Sequence, residues 1–242
     1  MAILYRTGHE INQRVCDALA EGFPGQILAT YGILRGSGEW ALRQRWLERA
    51  VLMADRGYFR PIHYDGYYRL SFEGTQAQYQ PEAAVDERRW RALGLEIEPW
   101  KHNAKGHVLF CPPTKAVVEF YGIGPDDWYV YHAMRAEYVA NLLDSEMVVR
   151  HKGCAVPLDE HLKGCRCVVT FNSGVGWEAL RRGIPCISDV RHSTVGSFLG
   201  TTIADLGRDL TDCDRVPLFS FMANRQFTLA EISTGIARSY IL

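Results

Sequence analysis

An excess of charge of either sign is missing from this sequence: 27 lysines and arginines stand against 28 aspartates and glutamates, a formal net charge of -1 at pH 7. That balance supplies no global attraction to nucleic acid or to anionic lipid. No uninterrupted apolar run approaches the roughly 20 residues that cross a bilayer as a helix, so no membrane span is expected. The N-terminus, "MAILYRTGHEINQRVCDALAEG", has no basic leader ahead of an apolar stretch and a small-residue cleavage site. Seven cysteines is an odd number, their spacing suggests no disulfide framework, and a reducing cytoplasm is the expected setting. Repeats and low-complexity tracts are lacking too. What is there is ordinary for a globular protein. Its 242 residues, 47% hydrophobic and 23% charged, suffice for one large domain or two small ones.

Along the chain, strand-like and helix-like patterns alternate. "AILYRT" reads as a buried strand, and "EINQRVCDALAEGF" repeats Ile11, Val15, Ala18 and Leu19 at helical spacing. "QILATYGILRG" is extended, and "EWALRQRWLERA" is amphipathic, with Trp40, Leu42, Trp46, Leu47 and Ala50 available for burial. "VLMAD" is a short strand, and "HYDGYYRLSFEGTQ" reads as loop or hairpin. Residues 1–80 are expected to form an N-terminal α/β lobe and 81–104 a connection. In that connection "PEAAVDERRWRALG" suggests a helix with Pro81 in its first turn and Gly94 as its stop.

The remainder, 105–242, is expected to form a second α/β lobe, with the last helix packing back on the first lobe. Its strands are "GHVLFCPP", "EMVVRHK", "CRCVVTF" and, last, "IPCISDV"; "WYVYHAMRAEYVANLL" and "PLDEHLKG" are helical. Strands separated by helices of this length predict parallel sheets with crossover connections. The C-terminal "FTLAEISTGIARSYIL" predicts a helix with Thr228 as N-cap and Glu231 completing a capping box.

The chemistry concentrates where "CRCVVTF" meets "NSGVGWEALRRGIP". A helix starting at Asn172, Ser173 and Gly174 leaves its first amides unpaired and favours an anion there. Gly174 and Gly176 let a phosphate approach the backbone, and Glu178, a turn further in, can accept hydrogen bonds from ribose hydroxyls. A bare helix cap accounts for Asn172, Ser173 and the C-capping Gly183, but not for paired glycines that each cost about 1 kcal/mol against alanine. Arg150 and Lys152 follow a strand directly, as do Arg191, His192 and Ser193, so all five fall where ligands gather in open α/β sheets. Solvated charges at strand ends are the plain alternative for each.

"NSGVGWEALRRGIP" resembles the nucleotide-sugar signature of GT-B glycosyltransferases, in which a small polar residue precedes a Glu-Ala-Leu helix closed by Gly-x-Pro. "VVRHK" and "CRCVVTF" resemble the two strands ahead of that helix in capsule-polysaccharide transferases, including those using CMP-Kdo, and "MADRGYFRP" is more loosely similar to an acidic-Gly-aromatic segment of the same enzymes. The stronger match covers roughly residues 148–188. The resemblance implies a compact GT-B-like fold of two Rossmann-like α/β lobes with parallel sheets facing across a cleft. It further implies transfer of a sugar from a nucleotide-sugar co-substrate to a hydroxyl acceptor, either a surface glycan or a hydroxymethylated base in DNA. Arg150, Lys152, Asn172, Ser173, Gly174 and Glu178 would hold the donor.

Glycosyl transfer needs a base for the acceptor hydroxyl or a group that steadies the developing oxocarbenium. Asp55, ending "VLMAD", is the first choice; His9, and His63 with Asp65, are its rivals. Structural roles at the surface or in turns compete for all of them. His151, Cys154, His161, Cys165 and Cys167 crowd together and include zinc-ligand types, with His161 and Cys165 on one face if the segment is helical. The C-x-C spacing and the apolar strand around it favour buried thiols instead. No cofactor and no metal are expected, since a helix dipole and cations can stabilise the leaving nucleotide. The aromatic run around Arg60 and Arg69 is suited to stacking sugars or unpaired bases, or simply to core packing. A non-catalytic nucleotide- or glycan-binding module of the same fold and a nucleotide-sugar epimerase are the alternatives.

Overall fold

The computed structural model describes every residue except 1, 26, 61–64, 73, 81–85, 201–210 and 212, and of residues 125–131 the backbone alone. The chain divides into two compact units, one formed by 1–77, 84–90 and 220–242, the other by 78–83 and 91–219.

The first unit is built on a five-stranded sheet in the order β1 (Ile3–Tyr5), β2 (Leu28–Tyr31), β3 (Val51–Arg56), β4 (Tyr68–Ser71), β9 (Gln226–Phe227). β1 to β3 are parallel; β4 pairs antiparallel with both of its neighbours, β3 and β9. The expected parallel sheet is therefore mixed here, because β4 lies antiparallel between β3 and β9. Helix α1 (Glu10–Gly22) links β1 to β2 and buries Ile11, Val15, Ala18 and Leu19, the face its spacing predicts. They meet Ala29, Leu52, Ala54, Leu70 and Phe227 from the sheet. Each large side chain so buried contributes about 1.5–3 kcal/mol.

Helix α2 (Ser37–Trp46) packs differently from expectation. Its buried residues are Ser37, Gly38 and Ala41, while Trp46 is 83% exposed and Leu42 and Leu47 are exposed as well. Small residues set the helix close to the loop before it: a Cβ on Gly38 would lie 2.6 Å from the Ile33 carbonyl oxygen. That close approach turns the larger apolar groups outward, apart from the half-buried Trp40, whose ring lies 5.5 Å from that of Tyr5.

The C-terminal segment closes the opposite face. Helix α10 (Leu229–Ser233) starts with the predicted capping box: Glu231 N–H donates to Thr228 Oγ1 at 3.2 Å, and Thr228 N–H to Glu231 Oε2 at 2.8 Å. The helix ends earlier than expected, because Gly235 adopts φ +81, and the chain resumes as α11 (Arg238–Ile241). Arg89, from α3 (Glu87–Ala92), pins this segment by donating to the Ala223 and Gln226 carbonyls and pairing with Glu231. The 81–94 helix is thus observed from Glu87; Pro81 lies outside the described residues.

The second unit holds four parallel strands in the order β6 (Met147–Val149), β5 (His107–Cys111), β7 (Cys165–Thr170), β8 (Cys186–Ile187). Helices α4 (Lys115–Phe120) and α5 (Pro125–Leu142) follow β5, α6 (Leu158–Leu162) follows β6, and α7 (Val175–Arg181) follows β7. Ala136, Val139 and Ala140 of α5 pack on Val108, Phe110, Cys167, Val169 and Ile187. The stretch before β5 is laced along the end of α7: Glu98 N–H donates to the Arg181 carbonyl and Lys101 N–H to that of Gly183. Gly183, at φ +74, permits this, since a Cβ there would lie 1.9 Å from the Pro99 oxygen. The buried Arg215 guanidinium sits 3.8 Å from the Trp100 ring centroid and donates to the Leu180 and Glu98 carbonyls. No helix among the described residues is long and apolar enough to cross a membrane.

In the first unit α1 approaches α10 closely: a Cβ on Gly22 would stand 1.6 Å from the Ile232 carbonyl oxygen. Gly22→Ala is expected to destabilise the protein by about 2–3 kcal/mol through overpacking, lowering the thermal midpoint by roughly 5–10 °C. An unchanged melting curve would show that the two helices tolerate separation.

Candidate functional site

In the second sheet the order β6-β5-β7-β8 changes direction between β5 and β7, and in open α/β sheets ligands enter at such a reversal, beyond the strands' carboxyl ends. There the sheet presents residues 112–114 after β5, 150–152 after β6, 171–174 after β7 and 188–193 after β8. Arg150, Lys152, Asn172, Ser173, Gly174, Arg191, His192 and Ser193 all fall on that one edge. The ends of β5 and β7 are fastened by Thr170, whose hydroxyl donates to the Cys111 carbonyl at 2.9 Å and accepts from Ser173 N–H at 3.3 Å.

The turn into α7 is partly satisfied by its own side chain: Ser173 Oγ accepts from Val175 N–H at 3.3 Å. Both glycines have packing reasons. A Cβ on Gly174 would come within 2.9 Å of the Trp177 ring, and one on Gly176 would lie 3.3 Å from Cys186 Sγ. The pair therefore does not by itself call for a ligand, as the sequence argument supposes. Glu178 Oε2 pairs with Arg181 and Arg182, and Arg182 with Asp159 of α6. Arg150 donates to the Val156 carbonyl at 2.6 Å, while Lys152 is exposed and forms no ion pair among the described residues. Ser193 is the N-cap of α8 (Thr194–Leu199).

Above the β7 end stands a group of rings absent from the sequence reading except for His192. Tyr121 and His192 are 4.2 Å apart, and Phe171 lies 5.5 Å from each of them. His132 of α5 meets Phe171 at 5.4 Å. Burial, reinforced by the Arg135 charge and opposed by Asp189, pushes the His132 imidazole from its ordinary 6.5 to about 4. Asp189 Oδ1 accepts from the Arg191 and His192 amides, both at 2.9 Å, which fixes the loop carrying His192. No spacing signature marks Tyr121 or His132, because their partners come from other elements.

In the first unit Asp55 lies at the carboxyl end of β3, as expected, but both its oxygens are engaged. Oδ1 accepts from Arg56 N–H at 2.8 Å, and Oδ2 pairs with Arg69 at 2.6 Å. His9 is the N-cap residue of α1; its Nδ1 is buried without a hydrogen-bond partner. Tyr31, at the end of β2, has its phenol pushed up to about 12 by burial and then by the Asp55 charge. Asp65 is exposed, and His63 lies outside the described residues. A hollow of about 480 Å³ lined by Ala2, Leu4, Arg6, Ala20, Pro24 and Gly25 runs along the edge strand β1.

Among the described residues no three or more His, Cys, Asp or Glu side chains are grouped to hold a metal. Cys154 Sγ and His161 Nε2 are 3.8 Å apart, but α6 ends at Leu162, so Cys165 belongs to β7 and does not share a helical face with His161. Burial raises the Cys165 and Cys167 thiols. The sequence does hold one Asp-x-Asp triplet, Asp212-Cys213-Asp214; Asp214 accepts from Val216 N–H at the start of α9 (Val216–Ala223), and Asp212 lies outside the described residues.

No family model matches the sequence, and no curated protein matches it. Among solved structures the chain is similar to two of KpsC from Thermosulfurimonas dismutans. One, described as a beta Kdo 2,7 transferase, has 13% identity and a TM-score of 0.53 over 99% of each chain. The other, a beta Kdo 2,4 transferase, has 12% identity and a TM-score of 0.50 over 90% of this chain and 88% of that one. The fold is that of these Kdo transferases. It is the GT-B-like α/β fold that the resemblance implies, with one fully parallel sheet and one mixed sheet.

Within the Kdo-transferase fold, His132 makes stability depend on pH. The unfolded chain takes up a proton near pH 6.5 that the folded chain refuses until about pH 4. Stability is therefore retained above pH 6.5 and lost as pH falls towards 4, by up to about 3 kcal/mol. Chemical denaturation at pH 7 and pH 5 should show the loss, and His132→Phe should remove most of the difference that imidazole causes.

Proposed function

We propose that the protein is a metal-independent glycosyltransferase that moves a sugar of the Kdo class from a nucleotide donor to a hydroxyl-bearing glycan. The observation that carries this reading is the fold shared with two Kdo transferases along nearly the whole chain, combined with the sheet reversal at β5 and β7. The donor lies at that reversal. Lys152 and Arg150 neutralise phosphate charge, the Gly174 region contributes backbone amides, and Glu178 takes a ribose hydroxyl through Oε1, its other oxygen being held by Arg181 and Arg182.

As the sugar–phosphate bond breaks, negative charge grows on the leaving nucleotide, and fixed cations lower that barrier. The acceptor hydroxyl forms the new glycosidic bond and gives its proton to Asp55, with Arg69 holding the carboxylate in place.

A second reading, a nucleotide- or glycan-binding module without turnover, draws on the same Asp55–Arg69 ion pair, since both carboxylate oxygens already have partners. The two readings separate by experiment. Thermal shift with CMP, UDP, GDP and ADP should single out one nucleotide, and Glu178→Ala should weaken it. Asp55→Asn should then cut transfer by at least about 100-fold while leaving donor affinity within twofold. Donor binding with no transfer to any glycan hydroxyl would establish the binding module.

A further inference from the structure

The rings above β7 suit a task that the donor reading leaves open. Tyr121 and His192 are both half-buried and stacked at 4.2 Å with an interplanar angle of 35°, and Phe171, 2% exposed, underlies them. None of the three belongs to the aliphatic cluster between the sheet and α5. They stand instead at the carboxyl edge, on the β7 side of the reversal where a ligand enters. His132 completes the group from α5 at 4% exposure.

We propose that Tyr121, His192 and Phe171 form the platform on which the donor's heterocyclic base stacks, with His132 reading its polar edge. This rests on the nucleotide-donor reading and adds the part of the ligand recognised. A flat base is attracted to ring faces whatever its identity, and alanine substitution of such a ring costs about 1–3 kcal/mol. Selectivity then has to come from groups with one donor and one acceptor, and a neutral imidazole has both. Its burial keeps His132 neutral at ordinary pH. The two amide hydrogen bonds accepted by Asp189 hold the loop of His192 before any ligand arrives, which limits the ordering cost of binding.

The experiment compares ribose 5-phosphate, which lacks a base, with CMP, UMP, GMP and AMP by calorimetry. The preferred nucleotide is expected to bind at least about tenfold more tightly than ribose 5-phosphate, from base stacking alone. Tyr121→Ala and His192→Ala should each lose about tenfold for that nucleotide and leave ribose 5-phosphate unchanged. Tyr121→Phe should behave as wild type, and its retained binding would show that an alanine loss is not a folding defect. His132→Gln, which keeps a donor and an acceptor in different positions, should change the rank order of the four bases.

Nucleotide preference that survives both alanine substitutions would overturn the platform and leave the donor site standing. Equal binding of ribose 5-phosphate and all four nucleotides would also overturn it. Failure of every one of the five ligands to bind would remove the donor reading itself, and the platform with it.

Discussion

The parallel pairing of β5 with β7 sets the level at which everything useful in the second unit begins. Phe110 lies opposite Val169 and Cys111 opposite Thr170, so both strands release their chains at the same height. The Thr170 hydroxyl locks that register from within, bonding to the Cys111 carbonyl and steadying the Ser173 amide. The chain after β5 rises into α4 and returns through α5, whereas the chain after β7 enters α7 at once. Tyr121 and His132 come from the first path and Phe171 from the second; their meeting follows from two strands ending together.

The first unit obeys a different constraint. Its sheet is covered on one face by α1 and by the C-terminal helices, whose closeness depends on Gly22 lacking a side chain opposite Ile232. Arg89 holds that segment through two backbone carbonyls and Glu231, and its guanidinium lies over the Phe227 ring at 5.0 Å. Sequence neighbours thus contribute little to this wall, and contacts of high sequence separation supply it.

Local signals in the sequence were legible and distant ones were not. The capping box of Thr228 and Glu231, the buried stripe of α1 and the stop at Gly183 are each written within one or two turns of chain, and each is observed. The GT-B-like fold was legible through the segment around α7 and its flanking strands. The side chains of α2 pack otherwise than their apolar pattern predicts, because small residues decide how the helix approaches. β9 spans two residues and carries no periodicity of its own. Gly174 and Gly176 read in the sequence as room for phosphate, and a Cβ at either would also meet Trp177 or Cys186. That distinction depends on neighbours from other elements, as does the gathering of the four rings.

The cysteines have a practical side. Cys16, Cys111, Cys165, Cys167 and Cys186 are buried, and burial holds each of their thiols protonated well past neutrality. Only Cys154 and Cys213 keep partial access to solvent. A maleimide dye at neutral pH therefore attaches at two places without any engineering of the chain. With Cys213 replaced by serine, the label reports from the loop that carries Arg150 and Lys152.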